Sequence, residues 1–136
     1  AGIGCGQMDV LQPHVELRRA IHKFYTKELA EIDGLSVQQN PSTDFNSNFW
    51  LSTVVIDPKT GKGPESLRQF MLDAGVETRR LWRPMHMQPV FADAPYYGGT
   101  TCETLFDRGL CLPSGSGLKE EELRYVADKI KEFFNK

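Results

Sequence analysis

Between Glu77 and Phe91 the chain reads Glu-Thr-Arg-Arg-Leu-Trp-Arg-Pro-Met-His-Met-Gln-Pro-Val-Phe. Arg79, Arg80, Trp82, Arg83, His86 and Gln88 crowd into one stretch whose backbone is made irregular by Pro84 and Pro89. A segment that only had to fold would not need so many large polar groups in one bend. Guanidinium groups pair with phosphate or carboxylate, and an indole offers a flat apolar face. Together with imidazole and amide groups they suit an anionic, ring-bearing ligand. Loops held by a rigid scaffold are where such sites usually sit.

Other candidates carry less. Gly2-Ile3-Gly4-Cys5-Gly6 has the look of a phosphate cradle. A dinucleotide fingerprint needs a preceding strand and a different spacing, so a helix lined with small residues is preferred. Cys102 with His86 and Asp93 could form a hydrolase arrangement, but a thiolate needs a base in contact. A buried, inert Cys102 is the preferred reading. His14 and His22 lie eight residues apart on a helix and are expected on its solvated face. Trp82 stands open between core and site, and Trp50 is expected in the core of a strand. Pro113-Ser114-Gly115-Ser116-Gly117 precedes a helix whose first turn already carries Glu120, Glu121 and Glu122. Those carboxylates would repel an anion, so a tight structural turn is expected there. No carboxylate dyad and no metal-ligand spacing is visible.

These residues must be positioned by surrounding elements. Val10, Leu11, Val15, Leu17, Ile21, Phe24, Tyr25 and Leu29 share helical spacing. Pro13 suits a first turn, so the helix is placed at 13–31 and ended by Asp33-Gly34. Short strands are expected at 35–39, 49–56, 76–82 and 110–112, the second rich in β-branched and aromatic residues. Pro64 opens a helix, with Leu67, Phe70, Met71 and Leu72 inward and Gly75 as its stop. One helical turn is expected within 85–91, a short helix at 102–108 and a last helix at 118–134. The expected class is α+β: a small, mostly antiparallel sheet of about three to four strands with helices packed on it.

The chain has 136 residues, which fits one domain. A net charge of −2 advertises no nucleic-acid face, and no apolar run reaches membrane-spanning length. Cys5, Cys102 and Cys111 are odd in number and match no zinc pattern, so reduced thiols and a cytoplasmic location are expected. The first residues contain no initiator Met and read as the middle of something longer, so a piece of a larger protein is expected.

Several segments in order resemble one family. They are Gly2 to Leu11, Arg18-Arg19-Ala20-Ile21, Trp82 to Phe91, Ala94-Pro95-Tyr96-Tyr97-Gly98-Gly99, and Gly109 to Ser116. Together they are similar to the C-terminal part of the DegT/StrS-type sugar-nucleotide aminotransferases, from the first residue to the last. The resemblance implies fold type I of the pyridoxal-phosphate enzymes. These are homodimers that move an amino group, usually from glutamate, to a keto sugar on a nucleoside diphosphate. Residues 1–136 would be the small C-terminal domain, with 1–33 the connecting helix region and the large cofactor domain absent.

The resemblance also assigns roles. Its Trp–(Lys or Arg)–Pro–x–His–x–Gln stretch places His86 beside the substrate, with Trp82, Arg83, Met85 and Gln88 as its surroundings. No catalytic and no cofactor-binding residue is implied in this chain. Pyridoxal 5'-phosphate belongs to the full-length enzyme, and the piece alone is expected to be inactive and without cofactor. Arg83 replaces a common Lys, Cys5 a frequent Arg, and Lys119 the usual capping Ser or Thr. The last of these predicts an uncapped final helix. The rivals are a free-standing α+β binding module for a small ligand or protein and a Cys–His hydrolase.

Overall fold

In the computed structural model, which describes residues 2–135, the sheet is built around the strand richest in β-branched residues. This strand is β2 (Ser52–Ile56); β1 is Leu35–Val37. In β2, Ser52, Val54 and Ile56 are buried and Thr53 and Val55 half-buried, the period-two pattern of a pleated strand. β1 pairs with it on one side, Val37 opposite Val54. β4 (Gly109–Leu112) pairs on the other, with Val54 opposite Leu110. The two-residue β3 (Arg79–Arg80) closes the far edge, Arg80 opposite Leu110. The sheet order is β1-β2-β4-β3 and every pairing is antiparallel. The α+β expectation matches this architecture.

Three helices supply the core: α1 (Gly2–Glu28), α2 (Pro64–Asp73) and α4 (Glu120–Asn135). Ile21 and Tyr25 of α1, Leu67 and Met71 of α2, and Leu123, Val126 and Ile130 of α4 meet Val54, Ile56, Leu110 and Leu112 of the sheet. Each such side chain contributes on the order of 1.5–3 kcal/mol by leaving water. The short α3 (Thr101–Arg108), none of whose residues is buried, touches β2 and runs straight into β4. Gly109 makes this possible: a Cβ there would stand 2.5 Å from the Leu105 carbonyl oxygen.

Several expectations need correction. α1 does not start at Pro13 but runs through it from Gly2. Pro13 removes one hydrogen bond without ending the helix, and residues 2–14 are all exposed. His22 is not on a solvated face; it is 4% exposed, beside Ile21 and Tyr25. Phe49, arriving from the loop before β2, stacks on it with ring centroids 3.6 Å apart. Leu72 is exposed, because α2 buries Pro64, Leu67 and Met71 and Leu72 lies about 100° round from Met71. β3 keeps only two of the seven expected residues, since it has β4 on one side and no strand on the other.

The turn at residues 113–116 is structural, as expected. Ser114 Oγ accepts from the Ser52 N–H at 2.8 Å and donates to the Leu112 carbonyl. Tyr25 donates its hydroxyl to the Pro113 carbonyl at 2.9 Å. α4 lacks a capping Ser or Thr, but Glu122 accepts from the Lys119 N–H at 2.7 Å, the reciprocal half of a capping box.

Candidate functional site

The bend begins where β3 loses its partner. After Leu81 the chain leaves the sheet, and Pro84 holds extended backbone into two single turns of 3-10 helix, Met85–Met87 and Pro89–Phe91. The expectation of one helical turn in 85–91 becomes two, because Gln88 adopts extended dihedrals between them. Gln88 also ties the bend to itself: its side-chain amide donates to the Arg83 carbonyl at 3.3 Å and approaches Met85 Sδ at 3.5 Å.

His86 is the most constrained member. Its Nε2 lies 2.9 Å from Glu103 Oε1, on the first turn of α3. Its ring stacks on Tyr96 at 3.8 Å, inclined by 22°. The imidazole keeps 18% of its side-chain surface exposed, enough for one edge to reach a ligand. Tyr96 is held in turn by donating to the Gly99 carbonyl at 2.6 Å, and its hydroxyl lies 3.5 Å from Cys102 Sγ. That contact to Cys102, more than burial, raises the phenol pKa.

Trp82 projects outward, 66% exposed. Trp50, 58% exposed, is not a core residue; it lies just before β2 and stacks on Trp82 with centroids 5.9 Å apart. Arg18 holds the Trp50 carbonyl, so the backbone under this pair is fixed from α1. The two indoles border an open cleft of about 490 Å³ lined also by Arg79, Cys111 and Ser114. Arg79 is paired with Glu77 at 2.7 Å. Arg83 and Met85 are exposed, and Arg83 has no ion-pair partner among the described residues.

Thus the structure places His86 and Gln88 within one hydrogen-bonded bend, with Trp82 on the sheet side of it. It gives Gln88 a bend-building part rather than a free amide. Cys102 is exposed, not buried, and its neighbour is the Tyr96 hydroxyl. The acid at position 103, not the thiol at 102, meets His86, so a Cys–His nucleophile pair is not formed. Glu103, Tyr96 and Trp50 were missed by sequence reasoning. Tyr96 entered there only within a resembling segment and Trp50 only as an expected core residue, while Glu103, a lone carboxylate opening a short helix, carried no signal.

Comparison with known proteins gives the same architecture. The model of the DegT/DnrJ/EryC1/StrS aminotransferase family matches residues 1–131. A Bacillus subtilis (strain 168) protein, named for a pyridoxal phosphate-dependent aminotransferase, EpsN, is 37% identical over 99% of this chain and 35% of its own length. The GDP-perosamine synthase of Escherichia coli O157:H7 is 28% identical over 99% of this chain and 35% of its own. The crystal structure of aminotransferase TlmJ from Streptoalloteichus hindustanus superposes with a TM-score of 0.82 at 23% identity, over 96% of this chain and 34% of that one. The chain therefore spans about a third of the length of the relatives it matches.

Proposed function

The chain belongs to the DegT/DnrJ/EryC1/StrS aminotransferase family, and from that premise we propose that it is the small C-terminal domain of a sugar aminotransferase. On this reading the full-length enzyme transfers an amino group, from glutamate, to a keto sugar carried on a nucleoside diphosphate. It works as a homodimer in the cytoplasm. The GDP-sugar product in the name of one relative and the pyridoxal phosphate in that of another support this assignment.

On this reading no residue of this chain is assigned to pyridoxal phosphate. No lysine lies between Lys62 and Lys119, so none is on the bend. Lys62 donates to the Phe133 carbonyl, Lys129 pairs with Glu132 at 2.8 Å and Lys131 with Glu28 at 2.8 Å. The cofactor, which supplies the electron sink of amino transfer when bound, is assigned to residues outside this chain. Residues 1–136 contribute a wall of the sugar-nucleotide site, and alone they transfer nothing.

The observation that carries the reading is the fixed imidazole of His86. It sits at the mouth of the polar bend with one edge exposed, and the exposed Arg83 and Trp82 precede it in the chain. His86 would bond a sugar or phosphate oxygen, Arg83 would pair with phosphate, and Trp82 with Met85 would offer apolar surface. The first half of α1 supports the incomplete-domain reading. Ile3, Val10 and Leu17 recur every seven residues on it and all are exposed. Such a stripe fits a covering surface better than it fits a free-standing binding module.

The test is His86→Ala in the full-length protein, assayed with GDP-, UDP- and TDP-linked keto sugars. Turnover of the preferred one should fall about tenfold while the pyridoxal phosphate absorbance stays. That factor equals about 1.4 kcal/mol, one charge-assisted hydrogen bond. Unchanged kinetics would reject the site.

A further inference from the structure

We propose that Glu103 is a positioning residue that fixes which nitrogen of His86 faces the ligand. The inference rests on the reading that the bend around His86 meets the nucleotide sugar. A carboxylate accepts only, so the Nε2 lying 2.9 Å from Glu103 Oε1 carries the proton. Nδ1 is then the ring nitrogen left for a ligand, an acceptor in the neutral ring and a donor in the charged one. Without Glu103 the two tautomers would lie close in free energy, and the ring could present either atom.

Three separate pieces of chain converge on this one imidazole. The 3-10 turn Met85–Met87 sets its backbone, the loop at 96–99 sets its plane, and the first turn of α3 sets its proton. The loop is specific in its build. Tyr96 stacks on the ring and donates back to the Gly99 carbonyl, and Gly98 sits at φ +148° against the phenol. A Cβ at Gly98 would lie 3.2 Å from the Tyr96 hydroxyl at a dihedral that side chains rarely adopt. Glu103 stands in the first turn of α3, so the helix fixes where its carboxylate meets the ring. A staple meant only to hold α3 to the bend could use any hydrogen-bonding pair. Orienting both the plane and the proton of an imidazole is the arrangement seen when the opposite nitrogen has a task.

The experiment compares Glu103→Ala, Glu103→Gln, His86→Ala and the Glu103→Ala/His86→Ala double variant in the full-length enzyme. The probe is whichever GDP-, UDP- or TDP-linked keto sugar the unchanged enzyme turns over fastest, and each half-reaction is followed separately. Glu103→Ala should lower kcat/KM for the keto sugar about as much as His86→Ala, roughly tenfold, and leave the amino-donor half-reaction within about twofold. Glu103→Gln keeps a carbonyl acceptor for Nε2–H and should restore most of the loss. The double variant should be no worse than His86→Ala alone. If His86→Ala is impaired but Glu103→Ala is not, positioning is overturned while the site reading stands. If Glu103→Ala slows both half-reactions equally, adds to His86→Ala, or is not rescued by Gln, Glu103 is merely structural and the proposal fails. If His86→Ala is harmless, or no keto sugar is turned over by the unchanged enzyme, the site reading and this inference fall together.

Discussion

Two imidazoles in this chain have nearly the same kind of neighbours and opposite settings. His22 is buried, stacked on Phe49 at 3.6 Å, and its Nε2 meets the neutral amide of Gln39 at 3.3 Å. His86 is half-buried, stacked on Tyr96 at 3.8 Å, and its Nε2 meets a carboxylate at 2.9 Å. Burial lowers the pKa of His22, with the Gln39 bond opposing, and its Nδ1 is buried without a partner. An aromatic stack alone therefore says nothing about function. A neutral amide behind a buried ring makes a packing unit that pins residues 39–49 to α1. An acid behind a ring at the surface makes a group with a defined free edge.

The comparison predicts a division of labour, and the largest effect belongs to the buried ring. His22→Ala should remove the Phe49 stack and leave Gln39 Oε1 without the ring nitrogen it meets, destabilising the fold by about 2–3 kcal/mol in urea unfolding. Its effect on turnover per folded molecule should be slight. A stability loss under about 0.5 kcal/mol would erase the distinction. His86→Ala should show the reverse: about tenfold in kcat/KM for the keto sugar and less than about 1 kcal/mol in stability, as for other partly exposed pairs.

A smaller effect follows from protonation. The folded His22 has its pKa below the ordinary 6.5, so below that pH the unfolded chain binds a proton that the folded chain resists. Stability should therefore fall as pH drops from about 6.5 toward the folded value, and His22→Phe should flatten that part of the curve. An identical acid slope in the variant would show that the neutral ring is not what the packing requires. The smallest expected change is Lys119→Ser, which would complete the capping box begun by Glu122 and raise stability by about 0.5–1 kcal/mol. It touches neither histidine and serves as the reference for a change confined to stability.

Much of this fold was legible because its signals are local. β2, α2 and α4 follow directly from β-branched alternation, Pro64 and the Leu123-Val126-Ile130 face. The failures came where distant chain decides. His22 looked solvated because Phe49, which covers it, lies 27 residues away. Trp50 looked buried because β2 seemed to include it, whereas the ladder starts at Ser52. α1 was cut short at Pro13 because proline disfavours helix interiors, yet the exposed first half stays helical. For the site, the bend and His86 stood out through residue types alone. Glu103 and Tyr96 did not, since nothing in one sequence says that a carboxylate and a phenol 17 and 10 residues onward will close on the same ring.

The central claim is that His86 faces the nucleotide sugar while the cofactor is held elsewhere. Separate half-reaction kinetics of His86→Ala in the full-length enzyme test it most directly. The account predicts a roughly tenfold loss in the keto-sugar half-reaction, with the amino-donor half-reaction and the pyridoxal phosphate absorbance preserved. Loss of the bound cofactor, or equal rates for both half-reactions before and after the substitution, would contradict it.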